Sequence, residues 1–249
     1  MIENLPPQLI YHLKKQIPEF QKKIKNALKK GLEEPGTVVL VGDMFEKMWG
    51  FEKVNEIIFD LVDRNRKRDL AIKINGKLMV IAEIIKLDKK INEGFLRESK
   101  IFAQENGIPW MVSTNGILWK IYSVDYTRHP TYTLILEFDF LEIDPKNREH
   151  LYWLYLLSKD GFKQNALKRY FEYIQIVNPY TLSVLLQSDI IVNNLVDIFN
   201  KIAPTLEVDK KEILKIIVNK MLKEDLTKGK QFNKAKLHIE KLLKDIKVR

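Results

Sequence analysis

Asp69 and Glu83 are the residues of this chain whose type and spacing could do chemistry. They stand in Arg68–Lys86, RDLAIKINGKLMVIAEIIK, where two alternating apolar runs meet at Asn75-Gly76, a strong hairpin signal. Leu70, Ile72 and Ile74 share one parity with Leu78, Val80, Ala82 and Ile84 and would form one buried face, while Asp69 and Glu83 have the opposite parity. If Asn75, Gly76 and Lys77 make a three-residue loop, Ile74 faces Leu78 and Asp69 comes directly opposite Glu83; a tight two-residue turn puts the two acids on opposite faces. Two carboxylates side by side on rigid strands repel each other, and the usual compensation is a hard divalent cation such as Mg2+ with oxygen ligands. The alternative is an Asp at a strand start and a solvent-facing Glu paired with nearby lysines.

The elements that must position these acids follow from the flanking sequence. Pro7 to Gly31 has apolar residues at helical spacing, with Pro18 starting a second helix, and a further helix runs from about Thr37 to Trp49 and closes at Gly50. Glu34 stands at the head of that helix, where a carboxylate benefits from the dipole. Glu56 to Val62 reads as a strand, and Arg64, Arg66, Lys67 and Arg68 lead into the hairpin. A helix over Asn92 to Asn106, a buried strand from Trp110 to Ser113, a turn at Thr114-Asn115-Gly116, and strands over Ile117–Val124 and Tyr132–Phe140 complete an α/β pattern with a mixed sheet. After Asp144-Pro145 the period is helical throughout, so a boundary near residue 144 separates 1–144 from an all-helical 145–249. The aromatic run Tyr152, Trp153, Tyr155, Tyr170, Phe171 and Tyr173 fits a helix core, with base stacking as the alternative.

Composition narrows the class. The 249 residues hold no cysteine, are 45% hydrophobic and 30% charged, and carry a net charge of +9. There is no disulfide framework, thiolate site or thiol nucleophile, and no apolar run of membrane-spanning length or signal-peptide pattern, so a soluble cytoplasmic protein is expected. The lysine excess and Ile-rich core suit a thermophile. The positive charge suits a polyanionic partner, nucleic acid being the commonest, although solvated helix faces look the same. His12, His129, His150 and His238 show no metal-ligand spacing, and neither a phosphate loop nor a dinucleotide fingerprint is present.

Read in order, residues 33 to 140 resemble the N-terminal nuclease domain of type I restriction enzyme motor subunits and related stand-alone predicted restriction endonucleases, a branch of the PD-(D/E)-x-K superfamily. The resemblance is carried by Glu34 and Thr37, Trp49-Gly50-Phe51, Lys67-Arg68-Asp69-Leu70, Asn75-Gly76-Lys77, Ile81-Ala82-Glu83, Asn92-Glu93-Gly94 and Thr114-Asn115-Gly116-Ile117-Leu118-Trp119. It implies a restriction-endonuclease-like α/β/β/α core that cuts DNA with Mg2+ or Mn2+, with Asp69, Glu83 and the Ile84 carbonyl as metal ligands and Glu34 binding a second ion or a metal-bound water. In such a site the cation lowers the pKa of water and neutralises the scissile phosphate. Arg64, Arg66, Arg68 and Glu98 are the candidate DNA contacts, and the helical C-terminal region would serve DNA binding, self-association or a restriction partner.

Two positions depart from the family pattern. Its catalytic lysine falls on Ile85, with Lys86 beside it but facing the other way on a regular strand, and its Gln-x-x-x-Tyr motif reads Glu98-x-x-x-Phe102. The register that sets Asp69 against Glu83 also sets Lys67 against Ile85, making Lys67 and Lys86 the two candidates for the missing ammonium. A nuclease-derived protein that has lost catalysis and keeps a DNA- or protein-binding role is the alternative function.

Overall fold

The structure is a computed structural model that describes residues 5–63, 66–124 and 132–247. Helix α1 (Pro7–Lys29) comes first and runs through Pro18 without a break. The expected second helix start is therefore corrected: Leu13, Ile17, Phe20 and Ile24 form one fully buried stripe on both sides of the proline, and packing outweighs the lost backbone hydrogen bond. Helix α2 (Glu34–Asp43) has Pro35 in its first turn and widens into a π-type turn over Met44–Met48, closed by Gly50 at φ +78°.

Among the described residues six strands form one mixed sheet in the order β1 (Ile57–Asp63), β2 (Arg66–Ile74), β3 (Lys77–Ile84), β4 (Trp110–Thr114), β5 (Leu118–Val124) and β6 (Tyr132–Asp139). Every neighbouring pair is antiparallel except β3 and β4, which are parallel and joined by a 3-10 turn at Glu93–Leu96 and helix α3 (Arg97–Glu105). The centre of the sheet is covered on both faces. Ala71, Ile81, Met111 and Tyr122 pack with Leu96, Phe102 and Ala103 on the α3 side. On the α2 side Phe59 and Leu70 close on Gly42, and Trp119, Phe138 and Trp153 form an aromatic stack that Trp49 meets edge-on, 4.9 Å from Trp119. Glu83 and its neighbours on β3 are thus interior, not the solvent row of the alternative reading.

Helices α4 (Arg148–Leu156), α5 (Lys159–Lys163), α6 (Ala166–Ile176), α7 (Pro179–Leu186), α8 (Asp189–Ile202), α9 (Lys210–Ile216) and α10 (Lys230–Lys247) follow. The chain divides into compact units Met1–Phe171 and Glu172–Arg249, a break well past residue 144. The reason is the aromatic stack: Trp153 of α4 lies on Phe138, and Phe162 of α5 lies 6.2 Å from Phe51, so both helices belong with the sheet. Tyr152 and Tyr155 are likewise buried core residues, not an open stacking platform. The second unit has its own small core of Val192, Ile213 and Ile217. No single helix among the described residues is long and apolar enough to cross a membrane.

Candidate functional site

The acids are brought together by a turn and a bulge. Asn75 and Gly76 form a two-residue turn with φ of +51° and +76°, so Ile74 pairs with Lys77, the tight turn that taken alone separates the acids. The ladder then slips by one residue: Lys73 pairs with Leu78 but Ile72 with Val80, leaving Met79 as an extra residue on β3. The slip restores the register expected for a three-residue loop, with Leu70 opposite Ala82, and the next positions outward are Asp69 and Glu83. It also turns Leu78 to the α3 side, where it packs on the core.

Beyond Leu70 the backbone ladder stops and side chains take over. The Ile84 N–H donates to Asp69 Oδ2 at 2.7 Å, while the Ile85 N–H donates to the Thr114 carbonyl on β4. Burial pushes the Asp69 carboxyl up, the Ile84 bond pulls it down, and the nearby Glu34 carboxylate pushes it up again. Glu83 is only 6% exposed; burial pushes its carboxyl up too, against the pull of Ser99 and Arg68, and Asp69 adds to the upward push. Asp69 thus feels the Glu34 carboxylate of α2 and in turn acts on Glu83 of the next strand.

Arg68 was expected on DNA and lies instead in the interior, 4% exposed. Its Nη1 donates to Glu83 Oε1 at 3.0 Å and to Ser99 Oγ at 2.8 Å, and the guanidinium lies 5.5 Å over the Phe102 ring. Simple alternation gives Arg68 the parity of Leu70, away from Glu83. The alternation skips beside it: Asp60, between the pairs Phe59–Leu70 and Leu61–Arg68, takes φ +52° on β1, and both Leu61 and Arg68 turn to the α3 side. Sequence reasoning missed this network, although a lone Glu in the apolar run Val80–Ile85 signalled a buried charge in need of a partner.

The remaining predicted residues surround this centre. Glu34 is exposed in the first turn of α2. Lys86 reaches Glu33 at 2.8 Å, which raises its pKa. Lys67 is exposed, pairs with Val62 on β1 and holds Asp60 at 2.9 Å; the β2–β3 ladder ends before it could lie against Ile85, yet Asp69 is among the charges that raise its pKa. Glu98 is exposed, its Oε2 3.5 Å from Arg68 Nη2. Arg66 opens β2 opposite Asp63, while Arg64 and His129 lie outside the described residues. Asn115 ties the edge of the site together: its Oδ1 accepts from the N–H groups of Ile117 and Leu118, and its Nδ2 donates to the Lys89 carbonyl.

In kind, these donors suit a hard divalent cation, since all are oxygen. In arrangement, among the described residues no three acidic or histidine side chains are gathered closely enough to hold one, and Glu83 is turned to Arg68. Comparisons with protein-family models, curated proteins and solved structures give no match for this chain, so its function has to be read from the site itself.

Proposed function

We propose that this chain is a Mg2+- or Mn2+-dependent DNA phosphodiester hydrolase of restriction or defence type, built on a PD-(D/E)-x-K framework, with Asp69, Glu83, Glu34 and the Ile84 carbonyl as its metal ligands. The observation that carries the reading is a half-buried Asp69, held by the Ile84 N–H and pushed up in pKa by burial, with Glu34 and Glu83 in Coulomb reach of it. Placing like charges together costs stability, and such groups cluster where function needs them. The Ile84 N–H holds Asp69 in a fixed orientation at the end of β3, beside the parallel pair β3–β4. Each candidate lysine is engaged by a surface acid, Lys67 by Asp60 and Lys86 by Glu33, and Lys67 answers better to the missing ammonium because its charge also reaches Asp69. A net charge of +9 favours a polyanionic substrate.

The test is plasmid cleavage with Mg2+ and Mn2+. Wild type is expected to nick or linearise DNA, Asp69→Ala and Glu83→Ala to fall below detection, and Lys67→Ala to lose more activity than Lys86→Ala. Equal cleavage by all five proteins, or none by wild type with either metal, would contradict the reading. The Arg68–Glu83 pair favours one second reading, a catalytically silent relative that retains DNA binding. In that case DNA is bound without cleavage and affinity falls steeply with salt.

A further inference from the structure

Glu83 is the one acid of the site already matched to a positive charge. Its partner arrives through a break in alternation on β2, where Arg68 and Ala71 share the α3 side and the skip falls at Asp69, beside the left-handed Asp60 of β1. The pocket around the guanidinium is incompletely satisfied: Arg68 Nε and Ser113 Oγ are buried without a hydrogen-bond partner, and Ser113 pairs with Glu83 across β3 and β4. A second carboxylate, exposed Glu98, stands at 3.5 Å from Nη2 on the solvent side. The guanidinium thus bridges two carboxylates at once, one buried and one at the exit, and keeps a partner if it leaves the buried one.

We propose that the Arg68 guanidinium occupies the position of the divalent cation at Glu83, so that metal and Arg68 compete for this carboxylate and metal is held only when Arg68 gives Glu83 up and keeps Glu98 alone as its partner. The inference rests on the reading of Asp69 and Glu83 as metal ligands. Ser99 joins the pair: its hydroxyl accepts from Nη1 at 2.8 Å and also bonds to the Glu83 carboxylate. Arg68 is thus a residue that sets metal affinity, and a neutral side chain there should expose a stronger site.

The experiment is calorimetric titration of the full chain with Mn2+, together with the shift of Tm on adding Mn2+, for wild type, Arg68→Met, Ser99→Ala and the double variant Arg68→Met/Glu83→Gln. Arg68→Met is expected to bind Mn2+ roughly tenfold tighter or more than wild type, and Ser99→Ala to shift affinity the same way by less. The double variant should lose the gain. Ser99→Ala keeps the ion pair, so it carries the test should Arg68→Met fail to fold. Unchanged affinity in the variants that fold, with wild type binding Mn2+, would overturn the competition and leave the metal site standing. No Mn2+ binding by any variant would overturn the underlying assignment of Asp69 and Glu83.

Discussion

Arg68 and Glu83 form a buried ion pair, the feature of the site most sensitive to single substitutions. A buried ion pair adds little net stability compared with apolar residues of the same volume, but removing one partner leaves an unmatched charge in the interior. Arg68→Ala should therefore cost about 3–5 kcal/mol in urea denaturation, while Arg68→Met with Glu83→Leu stays close to wild type. Equal losses in the single and double variants would mean that the two side chains are not coupled. Asp69 supplies a pH signature. Its folded-state pKa is raised, so the folded chain takes up a proton more readily than the unfolded one, and stability tied to this group is present at acid pH and lost as pH rises through the raised value. Asp69→Asn keeps an oxygen for the Ile84 N–H and should gain stability relative to wild type as pH climbs from the ordinary aspartate range toward neutrality. A difference that stays constant or shrinks with pH would contradict the assigned cause. Spacing alone left the placing of Asp69 against Glu83 open between two turn types, and it gave no sign of the Arg68 contact, because the alternation of β2 breaks at Asp69, beside the left-handed Asp60 of β1.

Elements were read well where a local pattern governs them and less well where two local effects cancel. The hairpin at Asn75-Gly76 was plain, and the register beyond it came out right by another route: the tight turn shifts β3 one way and the bulge at Met79 shifts it back. Nothing in LMV marks a bulge. Pro18 looked like a helix start and is a helix interior, held by a buried stripe that extends beyond any local window. Close packing between elements also makes specific demands. A Cβ on Gly161, at the start of α5, would lie 2.1 Å from the Tyr155 carbonyl oxygen, backbone that cannot move aside. Gly161→Ala is expected to destabilise by about 1–3 kcal/mol in thermal or urea unfolding. A variant as stable as wild type would show that α5 is free to shift against α4.

For the whole molecule, the helical character of the C-terminal half was legible but its division was not. Periodicity changes at residue 144, whereas compactness changes at residue 171, because α4 and α5 carry the aromatics that close one face of the sheet. The second unit rests on a core centred on three residues, Val192, Ile213 and Ile217, and leaves Ile198, Phe199 and Ile202 exposed. Amide hydrogen exchange should accordingly be faster across α7 to α9 than across β3 and β4, whose backbone is buried on both faces; equal protection would indicate one cooperative unit. The candidate site belongs wholly to the first unit, and its central claim is that Asp69 anchors a divalent cation with Glu83 and Glu34. Anomalous diffraction from crystals of the full chain grown with Mn2+ tests this most directly: a peak in contact with the Asp69 carboxylate is predicted, and Mn2+ bound only at other acids, with Asp69 still held by the Ile84 N–H alone, would contradict it.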